Sequence, residues 1–217
     1  IERLREQPLS GSYGVAHTRW ATHGKPTERN AHPVVDSKNR IAIIHNGIIE
    51  NFLVIKRRLL AEGWTFATDT DTEVIANLVS SYYAGDLAAA VKRADGELEG
   101  MYACALIGTE STLGDDEEIV AVRQGTPLVL GLGQGESFLA SDPAALIAHT
   151  RDVIFLDNGD IARLTRSQIE IWDRSGAAVK RPVTRLNWDP QQVEKGGYKH
   201  FMLKEIFEQA EAARDTF

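Results

Sequence analysis

Three observations predict an α+β domain. A nearly continuous apolar run of strand length occupies 40–45, and segments with apolar residues at helical spacing follow between 48 and 98. From Gly100 onward the period changes to short apolar or alternating runs separated by Gly, Pro and Asp, which read as successive strands. Helices segregated from a many-stranded sheet, with more strands after them, pack as separate layers.

In chain order, residues 1–12 are charged and end in Leu-Ser-Gly-Ser, a short helix and then a loop. Residues 14–18 form a short strand, and Gly24, Pro26, Pro33 and Asn39 punctuate a loop leading to the strand at 40–45, which is apolar enough to be buried on both faces. Phe52, Ile55 and Leu59 line one face of a helix over 48–62 that Gly63 closes. Residues 64–67 form a short strand. Thr70 followed by Glu73 is a capping box opening a helix over 71–84, with Val74, Ile75, Leu78, Val79 and Tyr82 on one face. A third helix spans 87–98. Strands follow at 101–108, 119–123, 128–132, 138–141, 153–156, 161–165 and 169–173. The acidic stretch 109–118 is a solvated loop. Asp142 caps a helix start with Pro143 in its first turn. The glycines at 131, 133 and 135 are followed by another strand, so they mark a hairpin turn and not a dinucleotide fingerprint. Residues 174–200 form an extended tail on the domain, and 204–217 turn helical with Ile206, Gln209 and Ala213 roughly on one side.

Chemistry concentrates between His17 and Gly47, in His-Thr-Arg-Trp-Ala-Thr-His-Gly, Asn-Ala-His-Pro and His-Asn-Gly, with four of the six histidines. Arg19 offers a planar fork of donors for a carboxylate, and Trp20 can wall a pocket; equally, the two form a surface stacking pair. Asn46 and Gly47 offer a side-chain amide and a backbone N–H converging on one point, as an oxyanion requires; the same dipeptide is the commonest hairpin turn. Helix following at once disfavours the turn. Asp71 either complements the helix dipole or faces the pocket to hold an ammonium. Arg19 for a carboxylate, Asp71 for an amine and Asn46/Gly47 for a developing oxyanion describe an amino acid undergoing acyl chemistry. The histidines at 17, 32 and 45 suit packing or hydrogen bonding, since their spacing fits no metal site. No metal or cofactor is expected.

Composition sets the bounds. With 217 residues and 43% apolar content, one large domain is plausible. A net charge of −7 with scattered basic residues argues against nucleic acid. The sole cysteine, Cys104, lies in an apolar run as a core filler, which excludes an internal disulfide and suits a reducing compartment, the cytoplasm by default. No signal-peptide pattern opens the chain, and no apolar run spans a membrane.

HTRWATHG, NAHP, HNGIIEN and TDTEVIANL, in this order and spacing, resemble the glutaminase domains of the glutamine:fructose-6-phosphate aminotransferase family, in the N-terminal-nucleophile class of amidotransferases. The resemblance continues through 123–143, 153–160 and 198–209. It implies a four-layer αββα sandwich of the N-terminal-nucleophile hydrolase type, here missing its N-terminal strand region. It implies that Arg19 binds the glutamine α-carboxylate, Asp71 its α-amino group, and Asn46 and Gly47 form the oxyanion hole. Trp20, Thr22 and His23 fall in the glutamine-covering loop, with Trp20 gating ammonia passage. The family's nucleophile is an N-terminal cysteine. This chain begins with Ile1 and Cys104 cannot substitute, so the sequence is expected to be an incomplete glutaminase domain, inactive as written. Residues 1–200 are expected to be that domain. Residues 201–217 are a helical junction toward a sugar-isomerase domain of the same enzyme, a homodimer when intact. Its ligands are L-glutamine and L-glutamate, with ammonia passed on to make glucosamine 6-phosphate from fructose 6-phosphate. Two alternatives remain: a non-catalytic amino-acid-binding regulatory module, and the glutaminase half of an amidophosphoribosyltransferase, which the Trp after Arg19 and the YKHFMLKEIFEQ tail disfavour.

Overall fold

The structure, a computed structural model, describes residues 6, 11–108, 117–187 and 197–216. Two antiparallel sheets organise it. The first contains β1 (Val34–Val35), β2 (Ile41–Ile49), β3 (Gly100–Gly108), β4 (Ile119–Gln124), β8 (Ile161–Leu164) and β9 (Ile169–Trp172), in the order β1-β2-β3-β4-β8-β9. The second contains β5 (Val129–Leu132), β6 (Ser137–Ala140), β7 (Asp152–Phe155) and β10 (Thr184–Arg185), in the order β10-β7-β5-β6. Helices α1 (Phe52–Ala61), α2 (Thr72–Tyr82) and α3 (Leu87–Asp95) lie between β2 and β3 in sequence, and α4 (Phe201–Thr216) ends the described chain.

Three apolar clusters show how the layers stack. Ile55, Leu59, Ile75, Leu78, Leu87 and Val91 of the helices join Ile41, Ile43, Cys104 and Leu106 of the first sheet. Ala103, Ala121 and Ala162 of that sheet meet Leu130 and Ile154 of the second. Val129 and Val153 face outward under Leu146 and Leu186. Neighbouring residues Ala103 and Cys104 therefore enter different clusters, as the two-residue period of a strand dictates. Helix, sheet and sheet form successive layers of an α+β sandwich.

Several expectations change at residue level. No strand forms at 14–18 or at 64–67. In the second stretch, side chains of α2 and not a ladder satisfy the backbone: Glu73 accepts the N–H groups of Ala67 and Thr68 at 2.6 Å each, and Asn77 Nδ2 donates to Thr65 O at 3.0 Å. That diverts Glu73 from the capping box. Thr70 Oγ1 sits 2.8 Å from Thr68 Oγ1 instead, and α2 begins at Thr72 with Asp71 at the cap position and no side-chain cap bond.

Strand β2 runs to Ile49, so Asn46 and Gly47 are mid-strand and not at a strand end. Its ladder with β3, from Ile41↔Gly108 to Ile49↔Gly100, holds the chain extended and delays α1 to Phe52. Along β2 burial alternates, with Ile41, Ile43 and His45 buried and their neighbours only half-buried, in place of burial on both faces. Asp142 caps as expected, accepting Ala144 N, although only a 3-10 turn (Pro143–Ala145) follows. The tail after 174 contributes β10, paired with β7, and the buried Leu186. Of the loop at 109–118 only 117 and 118 lie among the described residues, and most of the stretch at 1–12 lies outside them. The glycines at 131–135 do span the β5–β6 hairpin, closed by Gly133 N donating to Glu136 O.

Candidate functional site

Strand β2, the N-terminus of α2 and the loop at 19–23 line one cavity of about 250 Å³. Its lining holds all seven residues singled out in the sequence: Arg19, Trp20, Thr22, His23, Asn46, Gly47 and Asp71. His32, His45, Thr70 and Thr72 complete it. The threonines carried a readable signal in the alternating Thr-Asp-Thr-Asp-Thr, which the capping-box reading absorbed.

Asp71 is 3% exposed, a buried carboxylate that needs partners. Its Oδ2 accepts Ile49 N–H at 3.0 Å and lies 3.7 Å from His23 Nδ1. His23 in turn sets its ring edge-on to Phe52 of α1, 5.0 Å between centroids. Arg19 has a backbone φ of +36°, unusual for a residue with a Cβ. Its guanidinium donates to the carbonyls of His23 (2.7 Å), Gly24 (3.2 Å) and Lys25 (3.1 Å), drawing the loop into a ring around the cation. A planar fork with five N–H groups retains further donors after these contacts. Trp20 is 90% exposed, so it contributes to the lining only from the rim.

Gly47 has a φ of +121°, and a Cβ there would sit 2.1 Å from Met101 O and 2.8 Å from Tyr102 Cα. Only glycine lets β2 approach β3 this closely while turning its peptide beside the cavity. Asn46 places Oδ1 2.8 Å from His17 Nε2, and His17 stacks on His32 with 4.5 Å between centroids. His45 Nδ1 lies 3.0 Å from Thr72 Oγ1, which is 3.3 Å from His32 Nε2. Burial pulls the pKa of His32 to about 4, with His17 and His45 adding to the effect. Burial likewise pulls His45 to about 4, against the attraction of Asp71. Both rings are therefore neutral near pH 7, in keeping with hydrogen-bonding roles. Among the described residues no group of three or more His, Cys, Asp or Glu could hold a metal ion. No helix among them is long and apolar enough to cross a membrane. Cys104 is buried on the helix side of β3, and burial pushes its thiol well above the usual range.

The sandwich with its cavity beside β2 is that of a class, the glutamine amidotransferase domains. Two solved structures share the fold. One is a glutamine phosphoribosylpyrophosphate amidotransferase from B. subtilis, with a TM-score of 0.60 and 23% identity over 75% of this chain and 35% of that one. The other, described as the allosteric regulatory enzyme of purine biosynthesis, also has a TM-score of 0.60, with 24% identity over 73% and 34%. The model of the glutamine amidotransferase domain matches residues 6–188, and the chain belongs to that family. It is 49% identical to the glutamine–fructose-6-phosphate aminotransferase (isomerizing) of Aquifex aeolicus over 100% of this chain and 36% of the relative. It is 50% identical to that of Thermus thermophilus over 99% and 35%. The chain thus spans about a third of the length of the curated relatives it matches.

Proposed function

We propose that this chain is the glutamine-hydrolysing part of an enzyme that makes glucosamine 6-phosphate from fructose 6-phosphate. The supporting observation is that Arg19, Asp71, Asn46 and Gly47 line one cavity. The glutamine α-carboxylate pairs with Arg19 and the α-ammonium with Asp71, which orients the carboxamide toward Asn46 and Gly47. Attack on the carboxamide carbon moves an electron pair onto its oxygen. The Asn46 NH2 group and the Gly47 N–H stabilise that charge as it forms, the largest electrostatic contribution such a site makes. Collapse of the adduct breaks the C–N bond, the departing nitrogen taking up a proton to leave as ammonia, and water then hydrolyses the remaining acyl group to give glutamate. By the resemblance stated above, the nucleophile is a terminal cysteine thiolate, a role buried Cys104 does not fill.

Trp20, Thr22 and His23 cover bound glutamine, and Trp20 guides ammonia onward. Residues 201–217 lead toward a sugar-isomerase domain. The exposed Phe201, Met202, Ile206 and Phe207 on α4 support that, being large apolar side chains suited to a contact. The complete enzyme acts as a homodimer in the cytoplasm, the first on the family resemblance and the second on the absence of disulfide use by Cys104. Relatives near 50% identity favour the amino-sugar enzyme over an amidophosphoribosyltransferase, to which the likeness is one of fold.

The test is competition against glutamine hydrolysis in the full-length enzyme. L-Glutamate should compete, whereas glutarate (no amine) and 4-aminobutanoate (no α-carboxylate) should compete at least tenfold more weakly. Equal competition by all three would overturn the two-ended grip.

A further inference from the structure

We propose that His17 is a positioning residue for Asn46: its imidazole, held in one tautomer by the backbone of Arg19, compels the Asn46 amide to present its NH2 end to the ligand. This rests on the reading of Asn46 as an oxyanion donor.

The donor and acceptor roles around His17 are unambiguous. The Arg19 backbone N–H can only donate, and it points at His17 Nδ1 over 2.9 Å. Nδ1 is therefore the unprotonated nitrogen of the neutral ring, and Nε2 carries the hydrogen. The Asn46 atom 2.8 Å from Nε2 must then be the acceptor, Oδ1. An asparagine amide is nearly symmetric in shape, so packing alone does not choose between its two orientations. The flipped orientation would aim a carbonyl oxygen at a developing oxyanion, turning attraction into repulsion. His17 removes that choice.

The ring plane is held in the same manner. His17 stacks on His32 at 4.5 Å with 29° between planes. His32 Nδ1 accepts the His45 backbone N–H at 3.3 Å, so its Nε2–H faces Thr72 Oγ1 at 3.3 Å. The Thr72 hydroxyl then donates to His45 Nδ1 at 3.0 Å. Each hydrogen along this path is directed by a backbone donor at its start. Arg19 thus serves twice, with its backbone orienting His17 while its side chain meets the carboxylate.

The test compares glutamine hydrolysis by full-length variants. His17→Asn keeps an acceptor near the Nδ1 position and has no donor near Nε2, whereas His17→Gln places an amide donor near Nε2. Asn46→Ala is the control, expected to lower kcat by about 10²–10³. His17→Asn should lower kcat at least tenfold with little change in KM, and His17→Gln should recover most of it. The His17→Asn/Asn46→Ala double variant should be no slower than Asn46→Ala alone, because the two act as a unit. Near-normal kcat in His17→Asn beside a crippled Asn46→Ala would overturn the positioning role. Normal kcat in Asn46→Ala would instead overturn the oxyanion reading. Should His17→Asn fail to fold, ¹⁵N spectra of the unsubstituted protein decide: a His17 ring protonated at Nε2 supports the proposal, and one protonated at Nδ1 refutes it.

Discussion

The Asp71 carboxylate accepts the Ile49 backbone N–H at 3.0 Å, tying the first turn of α2 to the end of β2. The bond has a structural and a functional consequence. It compensates a buried charge, and it holds that charge beside the strand carrying Asn46 and Gly47. Asp71→Asn keeps an acceptor for Ile49 while removing the charge. Its glutamine KM should rise at least tenfold with the melting temperature within a few degrees of the parent. Asp71→Ala should also lose about 1–3 kcal/mol of stability, because the Ile49 N–H is left buried without an acceptor. An unchanged KM in Asp71→Asn would refute the ammonium assignment.

Arg19 binds three carbonyls of its own loop, so its removal should loosen the loop as well as weaken carboxylate capture. Arg19→Ala should raise the glutamine KM of the full-length enzyme strongly, while its melting temperature stays within a few degrees of the parent. Arg19→Lys should fare little better, since an ammonium cannot reproduce the planar fork. Glutamine kinetics measured alongside thermal melting separate this from general damage.

At Gly47 a methyl group meets backbone, not a movable side chain: Met101 O at 2.1 Å and Tyr102 Cα at 2.8 Å. Gly47→Ala should therefore destabilise by roughly 2–4 kcal/mol, combining overpacking with a strained φ. Chemical denaturation reads it directly. A variant as stable as the parent would mean that β2 and β3 can separate without penalty.

Acid should weaken the fold through two rings. His32 and His45 both have folded pKa values of about 4, below the ordinary 6.5. Unfolded, they take up protons as the pH falls through 6.5; folded, they resist until about 4. Their contribution is thus undiminished above pH 6.5, is lost progressively between 6.5 and 4, and is constant below. The urea midpoint should fall over that window, and His45→Gln should flatten the slope. A midpoint rising on acidification would contradict the buried, neutral assignment.

Trp20 is 90% exposed at the rim, so closure of its loop over a ligand should bury it. Saturating L-glutamate should shift the tryptophan emission of the full-length enzyme to shorter wavelength, and Trp20→Phe should abolish the shift. A shift that persists in Trp20→Phe would come from elsewhere.

Local patterns in the chain determined a good deal. The apolar spacing of Phe52, Ile55 and Leu59, and of Val74, Ile75 and Leu78, set two helices, since a 3.6-residue period has one good burial solution. The runs after Gly100 set the strands within a residue or two, since their period of two leaves little choice of face. Charge and shape at Arg19, Asp71, Asn46 and Gly47 were enough to name the candidate site. What local patterns could not supply were pairings between distant segments. Residues 64–67 look like a strand until Glu73 and Asn77 take their backbone groups. Asn46-Gly47 looks like the end of a strand, with helix following at once, until the ladder with β3 carries β2 on to Ile49. His17, His32 and His45 suit packing or hydrogen bonding alike until Arg19 N–H and Asn46 stand on either side of the His17 ring. Tertiary structure alone decided these, because a hydrogen bond is directional and its partner's position depends on the whole fold, whereas burying an apolar face needs only some apolar surface to meet.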